Sequence, residues 1–149
     1  MFRPDKLILA AMETTLSHYV NGDFETALPL YQILCCSKEA VRIRAVTLAG
    51  SLKRLSGLKV EIHEDVSYIG GGSLPEQALP TSVVSIEAHD AKSGASIAQR
   101  KSRELRRGIP PVFARVHENA VCFDMRTLLE GDLEVLVSAI LRVFGAAEQ

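Results

Sequence analysis

The spacing of apolar and polar positions changes along the chain, and each change marks an element boundary. Leu7, Ala10, Ala11, Thr14, Thr15, Leu16 and Tyr19 follow a helical period after Pro4-Asp5. Proline suits a first turn and aspartate suits its dipole, so a long helix is predicted over 4–20, stopped by Asn21-Gly22. Asp23 can cap a short second helix through Ala27, and L-P-L-Y-Q-I-L-C-C follows. The clearest helix comes next. Ser37 can cap it, and Val41, Ala45, Leu48, Leu52 and Leu55 recur on one face until Gly57.

Beyond Gly57 the period becomes alternating. Leu58, Val60 and Ile62 interleave with Lys59, Glu61 and His63, as in a half-buried strand. Ser82–Ala88 reads as a second strand, and 93–107 as a helix with Ile97 and Leu105 inward and a basic outer face. Pro111–Val116 and Ala120–Asp124 pair across a His117-Glu118-Asn119 loop. Leu133, Leu136, Val137, Ile140, Leu141 and Phe144 make a closing amphipathic helix. This order predicts one α+β domain over 1–149, a small, mainly antiparallel sheet covered by helices.

Composition narrows the function classes. A chain of 149 residues, 47% hydrophobic, supports a real core, and a net charge of -1 excludes a strongly basic nucleic-acid binder. Any contact with RNA would use a local patch. No apolar run reaches membrane-spanning length and the N-terminus lacks a signal pattern, so a soluble, cytoplasmic protein with no membrane contact is expected. Cys35, Cys36 and Cys122 read as buried thiols of a reducing compartment. His18, His63, His89 and His117 show no ligand spacing, so no metal site is expected.

Candidate chemistry is sparse. The stretch S-Y-I-G-G-G-S-L-P-E-Q-A-L-P has no lysine after Gly72, as a phosphate-binding P-loop requires, and Leu74-Pro75 replaces the helix that a dinucleotide fingerprint opens. It reads as a turn whose bare backbone permits close approach. The run R-K-S-R-E-L-R-R over Arg100–Arg107 reads first as a solvated helix end. RNA contact is the sharper alternative, weakened by the lack of interleaved aromatics. Arg115 on an apolar strand either faces solvent or pairs in a cleft, and Asp124 can start a helix. No catalytic constellation is present.

Three segments in order carry a resemblance: R-P-D-K-L-I-L-A-A-M-E-T-T-L, Y-I-G-G-G-S-L-P-E-Q-A-L-P, and L-R-R-G-I-P-P-V-F-A-R-V with D-M-R-T-L. From Arg3 to about Leu128 the chain resembles the C-terminal part of bacterial selenocysteine synthase, L-seryl-tRNA(Sec) selenium transferase. That family consists of pyridoxal-phosphate enzymes of the aspartate-aminotransferase fold type. The resemblance implies the small domain of such an enzyme, which makes selenocysteinyl-tRNA(Sec) from seryl-tRNA(Sec) and selenophosphate. It implies an anion-pocket role for Arg3, an active-site-facing loop at Gly70, Gly71, Gly72 and Ser73, and, more weakly, a substrate contact by Arg115.

The family's cofactor lysine lies upstream of the Arg-x-Asp-Lys-Leu segment with which this chain begins. A C-terminal domain, expressed alone or left as a natural remnant, is therefore expected. It should carry no catalytic residue, bind no cofactor and be inactive by itself. Its expected partners are the missing large domain, joined through the first helix, and a second copy of the chain covering the Leu7–Tyr19 face. The rival readings are the small domain of a paralogous pyridoxal-phosphate enzyme acting on a small amino acid or amino sugar, and a free-standing α+β RNA-binding module.

Overall fold

A computed structural model of the chain describes residues 3–55, 57–69, 78–88 and 94–145. Its contacts gather into two compact units, Met1–Cys36 and Ser37–Gln149, where the sequence reads as one domain.

The first unit holds α1 (Lys6–Asn21), α2 (Phe24–Ala27) and α3 (Pro29–Leu34). The helix starts two residues later than its composition suggests, because Asp5 is the cap rather than part of the first turn. Its carboxylate accepts the Leu7 N–H at 3.3 Å. Gly22 ends α1 in the left-handed region, φ 77°, a conformation that a side chain would strain. Tyr19, Phe24 and Tyr31 then form a ring cluster, with Tyr19 stacked on Phe24 at 5.3 Å and Tyr31 edge-on to Phe24 at 4.9 Å. No residue of these helices is buried. Leu9, Met12, Leu16 and Val20 leave an apolar stripe open along α1.

The second unit is a four-stranded antiparallel sheet, β1 (Leu58–Tyr68), β2 (Ala78–Ala88), β3 (Arg115–His117) and β4 (Ala120–Asp124), in the order β1-β2-β4-β3. Helices α4 (Lys38–Leu52) and α5 (Gly94–Arg107) rest on one face, and α6 (Asp132–Gly145) lies against both. The expected α+β architecture is the one observed. On α4 the buried residues are Val41, Ala45, Leu48 and Leu52, with Ser37 capping through the Ala40 N–H at 3.1 Å. They meet Val84, Ile86, Val121 and Phe123 of the sheet and Leu136, Ala139, Ile140 and Val143 of α6. Ile97 and Leu105 point inward from α5 as their spacing requires.

Four local expectations are corrected. First, β1 runs on to Tyr68, although Glu64 breaks the alternation on its helix-facing side. That charge is taken up by Lys38 at 3.1 Å and Arg42 at 3.8 Å from the start of α4. Second, β2 starts at Ala78 and contains Pro80. Pro80 lies opposite Val66, before the Val83–Ile86 stretch that pairs with β4. Its carbonyl, and so its missing N–H, points to the β4 side, away from the β1 ladder, and proline is tolerated there.

Third, the hairpin loop is Glu118-Asn119 alone, with His117 opposite Ala120, and residues 111–114 are not strand. Both loop residues have positive φ, 46° and 65°, as a primed two-residue turn requires. Fourth, Lys101 is buried rather than part of a basic surface. Its Nζ donates to the Val143 carbonyl at 2.8 Å and lies over the Phe144 ring. The cysteines also depart from expectation, since Cys122 is buried but Cys35 is exposed and Cys36 half-buried.

Candidate functional site

Strand alternation sends the polar residues to the sheet face opposite the helices. Two hollows lie on that face. One, of about 330 Å³, is lined by Lys59, Glu61, His63, Ser85, Glu87 and His117, and the other, of about 230 Å³, by Val83, Phe113, Arg115, Asp124 and Thr127. Cys122 borders both.

Lys59 and Cys122 in the first hollow are held in unreactive forms. Lys59 Nζ is 3.1 Å from Glu61 and 3.8 Å from Glu87. The hydrogen bond to Glu61, with the charges of both carboxylates, raises its pKa, so it stays an ammonium ion. Burial pushes the Cys122 thiol up, which disfavours the thiolate. His63 Nε2 lies 2.9 Å from Ser85 Oγ, but Glu61 approaches that same nitrogen at 3.7 Å. A serine–histidine–carboxylate relay needs the acid on the other ring nitrogen. The arrangement binds and orients polar groups and activates no nucleophile.

In the second hollow Arg115 is the reactive-looking charge. Its Nη2 donates to Asp65 Oδ2 at 3.0 Å, and its side chain is 62% exposed, leaving most of the guanidinium fork accessible. The Val66 N–H, and then Arg115, hold the Asp65 carboxyl below the usual carboxylate range. Beside this pair sits a network that sequence reasoning missed. Asp124 accepts from Ser67 Oγ and Thr81 Oγ1, each at 2.5 Å, and from the Arg126 N–H at 2.9 Å. The Arg126 side chain is buried and donates from Nε and Nη2 to the Pro80 carbonyl at 3.1 and 2.6 Å. Asp124 thus caps a 3-10 turn, Met125–Thr127, instead of a helix, and ties β1, β2 and β4 together. The signal for it was Ser67 and Thr81 at sheet-face positions flanking the glycine stretch.

The sequence-predicted residues fall in different places. Arg3 is an exposed residue ahead of α1 in the first unit, and Arg115 belongs to the second. Gly70, Gly71, Gly72 and Ser73 lie outside the described residues. The strands that lead to them are paired up to Tyr68 opposite Ala78, so the glycine stretch connects β1 to β2.

The model of the L-seryl-tRNA selenium transferase family, SelA, matches residues 1–129 of this chain. The chain belongs to the SelA family. Among SelA relatives, it is 40% identical over 134 residues to the L-seryl-tRNA(Sec) selenium transferase of Aquifex aeolicus (strain VF5), covering 90% of this chain and 28% of that protein. It is 35% identical over 143 residues to that of Clostridium perfringens (strain ATCC 13124), covering 95% of this chain and 30% of that protein. The chain therefore spans less than a third of the curated SelA relatives that it matches. Among solved structures, D-glucosaminate-6-phosphate ammonia-lyase is similar at 18% identity with a TM-score of 0.46, over 75% of this chain and 27% of that one.

The cofactor that SelA resemblance implies does not fit the described lysines. A lysine that carries pyridoxal phosphate needs a depressed pKa and a pocket for the ring and phosphate. Lys6 and Lys53 are exposed, and Lys38 is paired with Glu64. Lys59 faces a hollow but is held protonated, and Lys101 is spent on the Val143 carbonyl. Lys92 lies outside the described residues. Among the described residues no group of His, Cys, Asp and Glu is placed to hold a metal ion, and no helix is long and apolar enough to cross a membrane.

Proposed function

We propose that this chain is the C-terminal domain of an L-seryl-tRNA(Sec) selenium transferase. The full-length enzyme replaces the seryl hydroxyl with selenium from selenophosphate to give selenocysteinyl-tRNA(Sec), using pyridoxal phosphate in the cytoplasm. One observation carries the reading: a family match over residues 1–129 in a chain that spans only 28% and 30% of two full relatives. The cofactor-bearing lysine is assigned to the remainder of the enzyme, and this chain supplies one wall of the active site. Arg3 contributes a permanent positive charge for the donor's anion, since a guanidinium fork suits phosphate oxygens. The loop Gly70–Ser73 brings bare backbone to the substrate, and Arg115 offers the accessible part of its fork.

Two measurements test this. The DNA upstream of Met1 in the parent gene is expected to encode, in frame, a pyridoxal-lysine domain, and its absence there would sink the reading. The isolated chain, mixed with pyridoxal phosphate and reduced with borohydride, is expected to label its lysines only sparsely and non-selectively. Stoichiometric labelling of one lysine contradicts the assignment.

The reading includes a homo-oligomer. The open stripe of Leu9, Met12, Leu16 and Val20 on α1 is apolar surface that a second copy would cover. Sedimentation of the isolated chain should show concentration-dependent association, reduced by Leu16→Glu. A strictly monomeric profile at high concentration counts against it.

A further inference from the structure

The outer face of α5 carries charge that helix stability does not explain. The inward stripe is Ile97, Ala98, Lys101, Ser102 and Leu105, which leaves Arg100, Arg103, Glu104, Arg106 and Arg107 on the other side. Glu104 is the single acid among them and is shared between Arg100 at 4.0 Å and the buried Lys101 at 3.5 Å. Arg103, Arg106 and Arg107 are exposed and have no ion-pair partner among the described residues.

Arg106 and Arg107 in the last turn complement the helix dipole, but Arg103 sits a turn earlier. It also stands three and four residues from its fellow arginines, a like-charge spacing that destabilises a helix. The near-neutral total charge hides this patch, because the 18 acids are spread along the whole chain while Glu104 is the one acid within the Arg100–Arg107 run.

We infer that the Arg103-Arg106-Arg107 face of α5 binds the phosphate backbone of double-helical RNA. Arginine forks match phosphate oxygens geometrically and remain charged at every relevant pH. The face lacks an aromatic residue on which unpaired bases could stack, so it does not read single strands. Duplex RNA is held through shape and phosphates, contacts that a compact row of guanidiniums supplies. The choice of RNA over other polyanions rests on the selenium-transferase reading, in which the substrate is esterified to a tRNA. The patch makes α5 a holding surface for a tRNA stem, remote in role from any chemistry.

The test is anisotropy binding of this chain to three probes across a salt series: a tRNA(Sec) transcript, an unrelated RNA hairpin of equal stem length, and a single-stranded oligonucleotide. Both stems are expected to bind with similar, steeply salt-dependent affinity, and the single strand more weakly. Charge reversal at Arg103, Arg106 and Arg107 should weaken stem binding at least tenfold and reduce the salt slope by roughly 2–3, about 0.9 per lost phosphate contact. Lys59→Gln, on the other sheet face, should leave affinity within about twofold, since a single remote charge is screened within a Debye length. A circular-dichroism spectrum checks that each variant is folded, and single Arg103→Gln and Arg106→Gln variants cover the case in which the triple reversal is not.

Stem binding that survives the reversal, no stem binding at low salt, or tighter binding to vesicles containing phosphatidylserine than to either stem would each overturn the inference. None of those results bears on the enzyme reading, which fails separately on the upstream gene sequence. An unrelated hairpin that binds as well as the tRNA and is lost with the arginines supports the patch even if that reading fails.

Discussion

Asp124→Ala is expected to destabilise the Ser37–Gln149 unit by about 3 kcal/mol, since a hydrogen bond to a charged acceptor is worth roughly 1.5–3 kcal/mol and several are lost at once. The carboxylate receives Ser67, Thr81 and the Arg126 N–H, which come from three different segments of chain. Alanine leaves the buried Thr81 hydroxyl and the half-buried Ser67 hydroxyl without their acceptor and removes the cap of the 3-10 turn that holds Arg126 in place. Arg126 is the more serious consequence. It is a buried guanidinium that donates from Nε and Nη2 to the Pro80 carbonyl, and an arginine loosened from such a site is costly to bury.

Urea titration of the variant measures the loss, and a cycle with Ser67→Ala separates the β1 contact from the rest. Ser67→Ala alone should cost about 1 kcal/mol, the usual net value of one hydrogen bond. If Asp124→Ala costs no more than Ser67→Ala, the three strands are not joined through this carboxylate. Asp124→Asn keeps one acceptor and should fall between the two.

That network also shows where sequence reasoning stopped. A helix whose core stripe lies on its own turns is legible, because Val41, Ala45, Leu48 and Leu52 meet the core without reference to any other segment. The closing helix is legible for the same reason. What failed to show are features set by residues distant in the chain. Glu64 looks like the end of a strand until Lys38 and Arg42 are seen beside it. Lys101 looks like one more surface cation until the Val143 carbonyl takes its ammonium. Arg115 could be placed on a strand, yet its partner Asp65 lies 50 residues away and follows only from the β1-β2-β4-β3 order.

The glycine stretch was legible as a connection between strands, and the pairing of Tyr68 with Ala78 bears that out. Its expected part in an active site rests on family membership. No local physical signal distinguishes a loop that borders a substrate from one that merely turns.

Leu48→Ala is the second large effect, expected at about 3 kcal/mol within the 2–5 kcal/mol range for removing a buried leucine side chain. Leu48 has 0% exposure at the centre of α4, the helix that touches β1, β2 and α6 at once. Truncation there removes the Cγ and its two methyl groups from a fully buried site. Helix and sheet cannot both shift to fill it, so a cavity term adds to the lost transfer energy. Ile43 supplies the control from the same helix. It is 65% exposed on the outer face, and Ile43→Ala should change stability by less than about 0.5 kcal/mol.

The contrast distinguishes burial from helix propensity, because alanine favours the helix at both positions and can only offset the loss at Leu48. Denaturant midpoints with an unchanged m-value would confirm that each variant unfolds from the same compact state. A cost below about 1 kcal/mol at Leu48, near the value of a single methylene, would mean that α4 does not pack on the sheet as described. The domain would then owe its stability chiefly to the β1–β2 ladder and α5, and Asp124→Ala would become the larger of the two losses.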